Sequence, residues 1–338
     1  MHAPDGFLNA GTAVTTGALS AGAVGTSLRH MRTSLADRQV PLAGLAAAFI
    51  FAAQMFNFPV AAGTTGHLLG GALAAILLGP ATGAVVVTVV VAVQALAFAD
   101  GGLTALGYNV LNMAIVTAFG GYGMFVLLRR VLPDNATGVV AATGIAAGLS
   151  VPLSAAAFAV EWLFGATAPV PFDTVFGAMV GVHLLIGMGE GLISALAVGA
   201  VLAARPDLVY GARDLDRTQT ARRPRIGMRP FVIGAVLVAL LVAAVVSQFG
   251  APGPDGLERV AEDQGFIASA EDHALATGPF ADYATAGLRN DSVSLAVAGG
   301  TGVVITLVVG LGVIVAIRDR TSTRPSDADR SPRTAGTP

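Results

Sequence analysis

Cysteine is absent from this chain of 338 residues, and so is lysine; charged residues of every kind make up only 12% and aromatic ones 6%. Without cysteine there is neither a disulfide nor a thiolate ligand, so any metal must be held by nitrogen and oxygen. Without lysine there is no Gly-Xaa-Xaa-Xaa-Xaa-Gly-Lys-Ser/Thr loop, and the chain cannot itself be a Walker-type ATPase. The alternating pattern of an outer-membrane barrel is also missing. So is a His-Glu-Xaa-Xaa-His pair, which removes the commonest helical metallohydrolase site. Nothing in the composition calls for a nucleic-acid partner.

What is present is apolar sequence. Hydrophobic residues are 54% of the chain and the mean hydropathy is +0.73, whereas a soluble domain carries about 25% charged residues. Apolar runs near the roughly 20 residues that cross a bilayer as a helix recur at about 8–28, 41–60, 68–79, 83–99, 108–128, 136–164, 173–204, 230–249 and 293–317. The expected fold is an all-α polytopic membrane protein of about nine helices: a seven-helix core and a two-helix C-terminal module. The third run is too short to cross alone, and Gly79-Pro80 after it predicts a break.

Orientation follows from arginine. Cytoplasmic loops collect basic residues, and with the N-terminus outside and the C-terminus in the cytoplasm all 19 fall inside except Arg259 and Arg289. Those two lie in a loop at about 250–292 that is otherwise acidic, with Asp255, Glu258, Glu262, Asp263, Glu271, Asp272, Asp282 and Asp291. Their irregular spacing does not make a binding site. The resulting domains are a core at 1–204, a basic cytoplasmic linker at 205–229, the module at 230–317 and a disordered tail at 318–338. A multi-pass protein of a prokaryotic inner or plasma membrane is expected.

The N-terminus carries the most specific chemistry. Residues 1–10 contain no Lys or Arg, unlike a signal peptide's start, and His2 is too large to favour removal of Met1, so the start is expected to be retained. Met1-His2 then offers one metal ion three nitrogens: the amine, the His2 amide and its imidazole. His67, after Gly63-Thr64-Thr65-Gly66, adds a fourth from the same side of the membrane. Adjacent small chelate rings of nitrogen favour a planar site that suits nickel or copper and can hold cobalt. Both imidazoles must be neutral at the bound nitrogen, and the amine must lose a proton from a reference pKa of about 7.7–8.0, so binding should weaken in acid.

Other polar residues stand in apolar surroundings: Gln54, Asn57, Gln94, Asn109, Asn112, His183 and Glu190. Asn57 and Asn109 are candidates to hydrogen-bond a ligand imidazole, or to bind neighbouring helices. His183 and Glu190, two helical turns apart, share a face and form a further pair of candidates, with structural hydrogen bonding or a neutral buried carboxyl as the alternatives. Pro4-Asp5-Gly6 reads as a turn, and Gly66-Xaa3-Gly70 and Gly79-Xaa3-Gly83 as helix packing.

Four stretches carry a resemblance: MHAPDGFLNAGTA at the start, AAFIFAAQMFNFPVAAGTTGHLLGGALAAILLGPATG at 47–83, VQALAFADGGLTALGYNVLNMA at 93–114, and HLLIGMGEGLISAL at 183–196. Residues 1–204 resemble the substrate-binding membrane subunit of energy-coupling-factor cobalt and nickel importers, the CbiM/NikM family. The module, with Pro254-Asp255-Gly256-Leu257-Glu258, resembles the small PDGLE-type accessory subunit of the same systems, here fused in one chain. The resemblance implies cobalt(2+) or nickel(2+) as cargo and no prosthetic group. It implies metal ligands at Met1, His2 and His67, and partners comprising a transmembrane coupling subunit and ATPase subunits. It also suggests that the module helps load metal. From the residues alone two other classes stay open: a membrane metalloenzyme using His67, His183 and Glu190, and a metal-independent channel or secondary transporter.

Overall fold

A computed structural model describes residues 1–34, 39–61, 63–217 and 224–322. Among these the chain is mostly helical: α1 (Ala10–Ser34), α2 (Gln39–Gln54), α3 (Gly71–Leu78), α4 (Pro80–Ala97), α5 (Leu106–Val110), α6 (Gly121–Leu128), α7 (Ala136–Gly165), α8 (Phe172–Ala204), α9 (Met228–Ala244), α10 (Gly256–Gln264) and α11 (Asp291–Ser322). A π-helical stretch, Leu111–Gly120, joins α5 to α6, so 106–128 is one rod. Six helices among the described residues are long and apolar enough to cross a bilayer, at 80–97, 106–128, 136–165, 172–204, 228–249 and 291–317. The chain has the make-up of a multi-pass membrane protein.

The shorter elements matter more for the site. α2 stops at Gln54, before the expected 60, because Pro59 lacks a donor and disfavours helical backbone at the residue before it. There Phe58–Pro59 pairs antiparallel with Thr65–Gly66 in a two-stranded hairpin. α3 has only eight residues, all buried, about 12 Å of helix. It ends where expected, at Gly79, whose φ of 93° is a glycine conformation, and Pro80 opens α4. Such irregular backbone amid apolar helices is tolerated where protein encloses it. Both Leu69 and Gly70, just before α3, give their main-chain N–H to Glu190.

α7 and α8 form a long hairpin of close backbone contact. A Cβ on Gly187 would lie 2.3 Å from the Gly148 carbonyl oxygen, and one on Gly191 2.5 Å from that of Gly144. Of the C-terminal helices, α11 lies against α2 and α9, while α10 lies against α8.

The expected boundaries shift in two places. Pro206–Leu208 and Tyr210–Arg217 form 3₁₀ turns with Leu208 and Val209 buried and Tyr210 beside Tyr122. The first part of the expected linker therefore packs on the core. α11 continues to Ser322, past the expected end at 317, because main-chain hydrogen bonding carries a helix beyond its apolar run. Residues 218–223 of the linker and the tail from 323 lie outside the described residues. The short α10 inside the acidic loop was not foreseen; Asp255 caps it by accepting from the Glu258 N–H at 2.9 Å.

Candidate metal site

Residues 1–8 form an extended segment fastened along its length. The Asp5 carboxylate accepts from the main-chain N–H of Leu103, Thr104 and Ala105 at 3.1, 2.7 and 3.2 Å and from the Thr104 hydroxyl at 2.6 Å. It thereby caps the rod that begins at Leu106. The Asn109 amide clamps Ala3, accepting from its N–H and donating to its carbonyl, both at 2.9 Å. Tyr108 donates to the Pro4 carbonyl at 3.0 Å. Met1 is left buried, with its thioether accepting from Ser154 at 3.3 Å.

This fastening delivers the amine to His67. Met1 N lies 2.5 Å from His67 Nε2. The other ring nitrogen, Nδ1, is 3.0 Å from the Leu68 carbonyl. A carbonyl only accepts, so Nδ1 carries the proton and Nε2 presents its lone pair to the amine. Gln54 holds the same loop by donating to the Leu69 carbonyl at 2.9 Å.

His2 completes the group. Its ring meets His67 edge to face, with centroids 5.2 Å apart. Nδ1 lies 2.6 Å from Asp100 Oδ1, and Nε2 is buried with no hydrogen-bond partner. Closing a small chelate with the His2 amide takes Nδ1, since Nε2 points away from its own main chain; that requires the ring to turn about its Cβ–Cγ bond. Asp100 is further held by the Tyr283 hydroxyl, which donates to Oδ2 at 2.6 Å and accepts from Gln94 at 3.0 Å.

The C-terminal module closes over these residues. Asp255 Oδ2 pairs with the Met1 amine and lies 3.5 Å from His67 Nε2. Thr65 is joined to the module by its N–H to the Pro254 carbonyl at 2.9 Å and its hydroxyl to Gly253 at 3.0 Å. Glu271 N–H donates to the Asp5 carbonyl at 2.9 Å, and Phe266 packs between Phe7 and Trp162. A cavity of about 520 Å³ opens beside the group, with His2, His67, Asn57, Asp100, Asp255 and Tyr283 in its wall.

The charges are strongly biased. Burial raises the Asp255 carboxyl, but the charge of the N-terminal amine beside it outweighs this and holds it well below the usual carboxylate range. Burial also opposes ionisation of Asp100, yet the His2 charge and the hydrogen bonds from His2 and Tyr283 bring it to about 2. His67 is lowered, first by burial and then by the N-terminal charge.

The structure thus brings Met1, His2 and His67 together. Asn57 lines the cavity, and its carbonyl accepts from Ala251. Asn109 holds the main chain next to His2 and not an imidazole. Both Glu190 oxygens are taken by main-chain N–H groups at 2.6 and 3.0 Å. His183 sends Nδ1 to the Met179 carbonyl at 2.7 Å, while Nε2 is buried and unpartnered against Gly256. Asp100, Asp255 and Tyr283 were not singled out from sequence. Asp100 stands within the quoted Phe-Ala-Asp-Gly-Gly stretch, but nothing local marks it as the partner of His2. As they stand, no three His, Asp or Glu side chains among the described residues are grouped to share a metal ion.

Comparison with known proteins identifies the family. Residues 2–208 match the family model for the cobalt uptake substrate-specific transmembrane region, and residues 229–319 match the PDGLE domain. A fused nickel transport protein of Rhodobacter capsulatus is 31% identical over 94% of this chain and 98% of its own length. A cobalt transport protein of Geobacter sulfurreducens is 32% identical over 73% of this chain and 71% of its own. The crystal structure of a truncated transition metal transporter, 31% identical, superposes with a TM-score of 0.53 over 60% of this chain and 99% of that one. The chain belongs to the family of cobalt-uptake substrate-specific membrane proteins and carries a PDGLE domain in the same polypeptide.

Proposed function

We propose that the chain is the metal-capturing membrane subunit of an ATP-driven energy-coupling-factor importer, taking divalent nickel or cobalt on nitrogen donors from Met1, His2 and His67. The observation that carries this is the meeting of the Met1 amine and His67 Nε2 at 2.5 Å, with the His2 ring against them. The amine, the His2 amide and Nδ1 close adjacent chelate rings, His67 Nε2 supplies the fourth nitrogen, and the His2 ring gives up Asp100 as it turns. The arginine distribution puts this end outside and the C-terminus in the cytoplasm of a prokaryotic inner membrane. There a seven-helix core at 1–204 is followed by the linker and a two-helix module at 230–317.

With no Walker lysine in the chain, energy comes from partners: a transmembrane coupling subunit and a pair of ATPases. Metal bound at the outer face is released inward after ATP-driven reorientation of the whole subunit. The metalloenzyme alternative loses its Glu190 ligand to the main chain of Leu69 and Gly70, just before α3.

The test is uptake in cells that lack their own nickel and cobalt importers. With the coupling subunit and ATPases co-expressed, the chain should accumulate nickel or cobalt, and both His67→Ala and loss of the ATPase Walker lysine should return uptake to background. Uptake that persists without the ATPases, or with His67→Ala, contradicts the reading.

A further inference from the structure

The module's own contribution to the site is most specific at Asp255. Its two oxygens do different work. Oδ1 caps α10 through the Glu258 N–H at 2.9 Å; Oδ2 turns away from the helix, onto the Met1 amine and 3.5 Å from His67 Nε2. Two cis donors at about 2.1 Å from one metal ion stand about 3 Å apart, so Oδ2 and Nε2 are already near the spacing of ligands on a shared ion. The Asp255 side chain keeps 19% exposure in the wall of the 520 Å³ cavity. It therefore reaches both the donors and the space beside them.

Charge points the same way. A dication on an amine, an amide nitrogen that has lost its proton and two neutral imidazoles still leaves net positive charge in a buried place, a costly step unless it is balanced. Two carboxylates face this group, Asp100 on His2 and Asp255 on the amine and His67. The His2 side chain is 6% exposed, and its Nδ1, the nitrogen that the chelate uses, faces Asp100 on the same cavity.

We propose that Asp255 is an oxygen ligand of the bound metal, so that the PDGLE domain supplies part of the metal site in cis and not only a cover over it. The proposal rests on the reading of Met1, His2 and His67 as metal donors. In the loaded site Oδ2 exchanges its ion pair with the amine for the metal, approaching from outside the plane of the four nitrogens. Nickel then has an oxygen neighbour and more than four ligands.

The test uses the full chain with Asp255→Asn and nickel alone. Asparagine is as good a helix cap as aspartate, so α10 is kept while the charge is lost; unchanged thermal unfolding verifies this. Nickel affinity is measured by competition with a chelator, and the coordination of the bound ion by X-ray absorption and magnetic susceptibility. Asp255→Asn should weaken nickel binding by about 10- to 100-fold, the scale seen for losses around a metal's ligands. Its remaining nickel should become planar, four-coordinate and diamagnetic, whereas the unsubstituted chain holds a paramagnetic ion of higher coordination. Equal affinity and identical spectra in the two proteins overturn the proposal while leaving the nitrogen site intact. If instead the unsubstituted chain binds nickel no better than His67→Ala does, the nitrogen site fails, and this inference fails with it.

Discussion

One carbonyl oxygen decides what His67 can do. Because Leu68 accepts from Nδ1, the ring offers Nε2, and burial with the nearby N-terminal charge lowers its pKa. The sign for metal binding follows. His67 stays neutral, and so competent, down to a pH below its ordinary value of 6.5, so protons do not compete with metal there until lower pH. The amine, by contrast, binds only as the free base, and the His2 amide must also lose its proton, so protons compete with the metal at both. Nickel affinity measured between about pH 8 and pH 6 should therefore fall in acid and proton release should be detectable by calorimetry in buffers of different ionisation heat. An affinity flat over that range contradicts amine ligation. Met1, His2 and His67 were legible in the sequence because their donor atoms are intrinsic to the residues and their motifs resemble a known family. Asp100, Asp255 and Tyr283 were not, since a carboxylate or phenol acquires its role only from the atom that the fold places opposite it.

At the scale of elements, the His67 loop is held by the short helix behind it. α3 cannot span a membrane, and its first N–H groups would stay unpaired among apolar helices. Glu190 from α8 satisfies the N–H groups of Leu69 and Gly70, just before α3. Glu190→Ala leaves two buried donors unmet, each costing about 1–3 kcal/mol. The variant should show a lowered unfolding midpoint together with weaker nickel binding, because Leu69 is two residues from His67. Glu190→Gln, which keeps one acceptor oxygen, should fall between. A Glu190→Ala protein as stable as the original would show that the pairing is inconsequential. The break at Gly79-Pro80 was readable in the sequence, since those residues carry their own backbone preference. The early end of α2 was not, because hydropathy continues through Phe56, Phe58 and Val60 while the backbone has already turned into the hairpin. α10 was hidden for the opposite reason: its nine residues are mostly polar, and its apolar face is visible only against α8.

For the whole molecule, the arrangement joins distant parts of one chain. The N-terminal segment is fixed by Asp5 and Asn109 to the rod at 106–128, the His67 loop is fixed by Glu190 and Gln54, and the loop at 250–290 seals both with Asp255, Glu271 and Phe266. Fusion of the PDGLE domain to the core keeps that seal present at every copy of the site. The family match covers 2–208 and the domain match 229–319. How the two parts close on each other was out of reach of the sequence, because contacts such as Met1 with Asp255 join residues more than two hundred positions apart.

The central claim is that the Met1 amine binds the metal, and adding residues in front of Met1 tests it most directly. Protein bearing one or two extra N-terminal residues is purified beside the unextended chain, His2→Ala and His67→Ala, and bound nickel and cobalt are measured by elemental analysis. The expected result is near one metal ion per chain for the unextended protein and little or none for the other three. Full metal content in the extended protein would show that the amine is not a ligand, and would contradict the account.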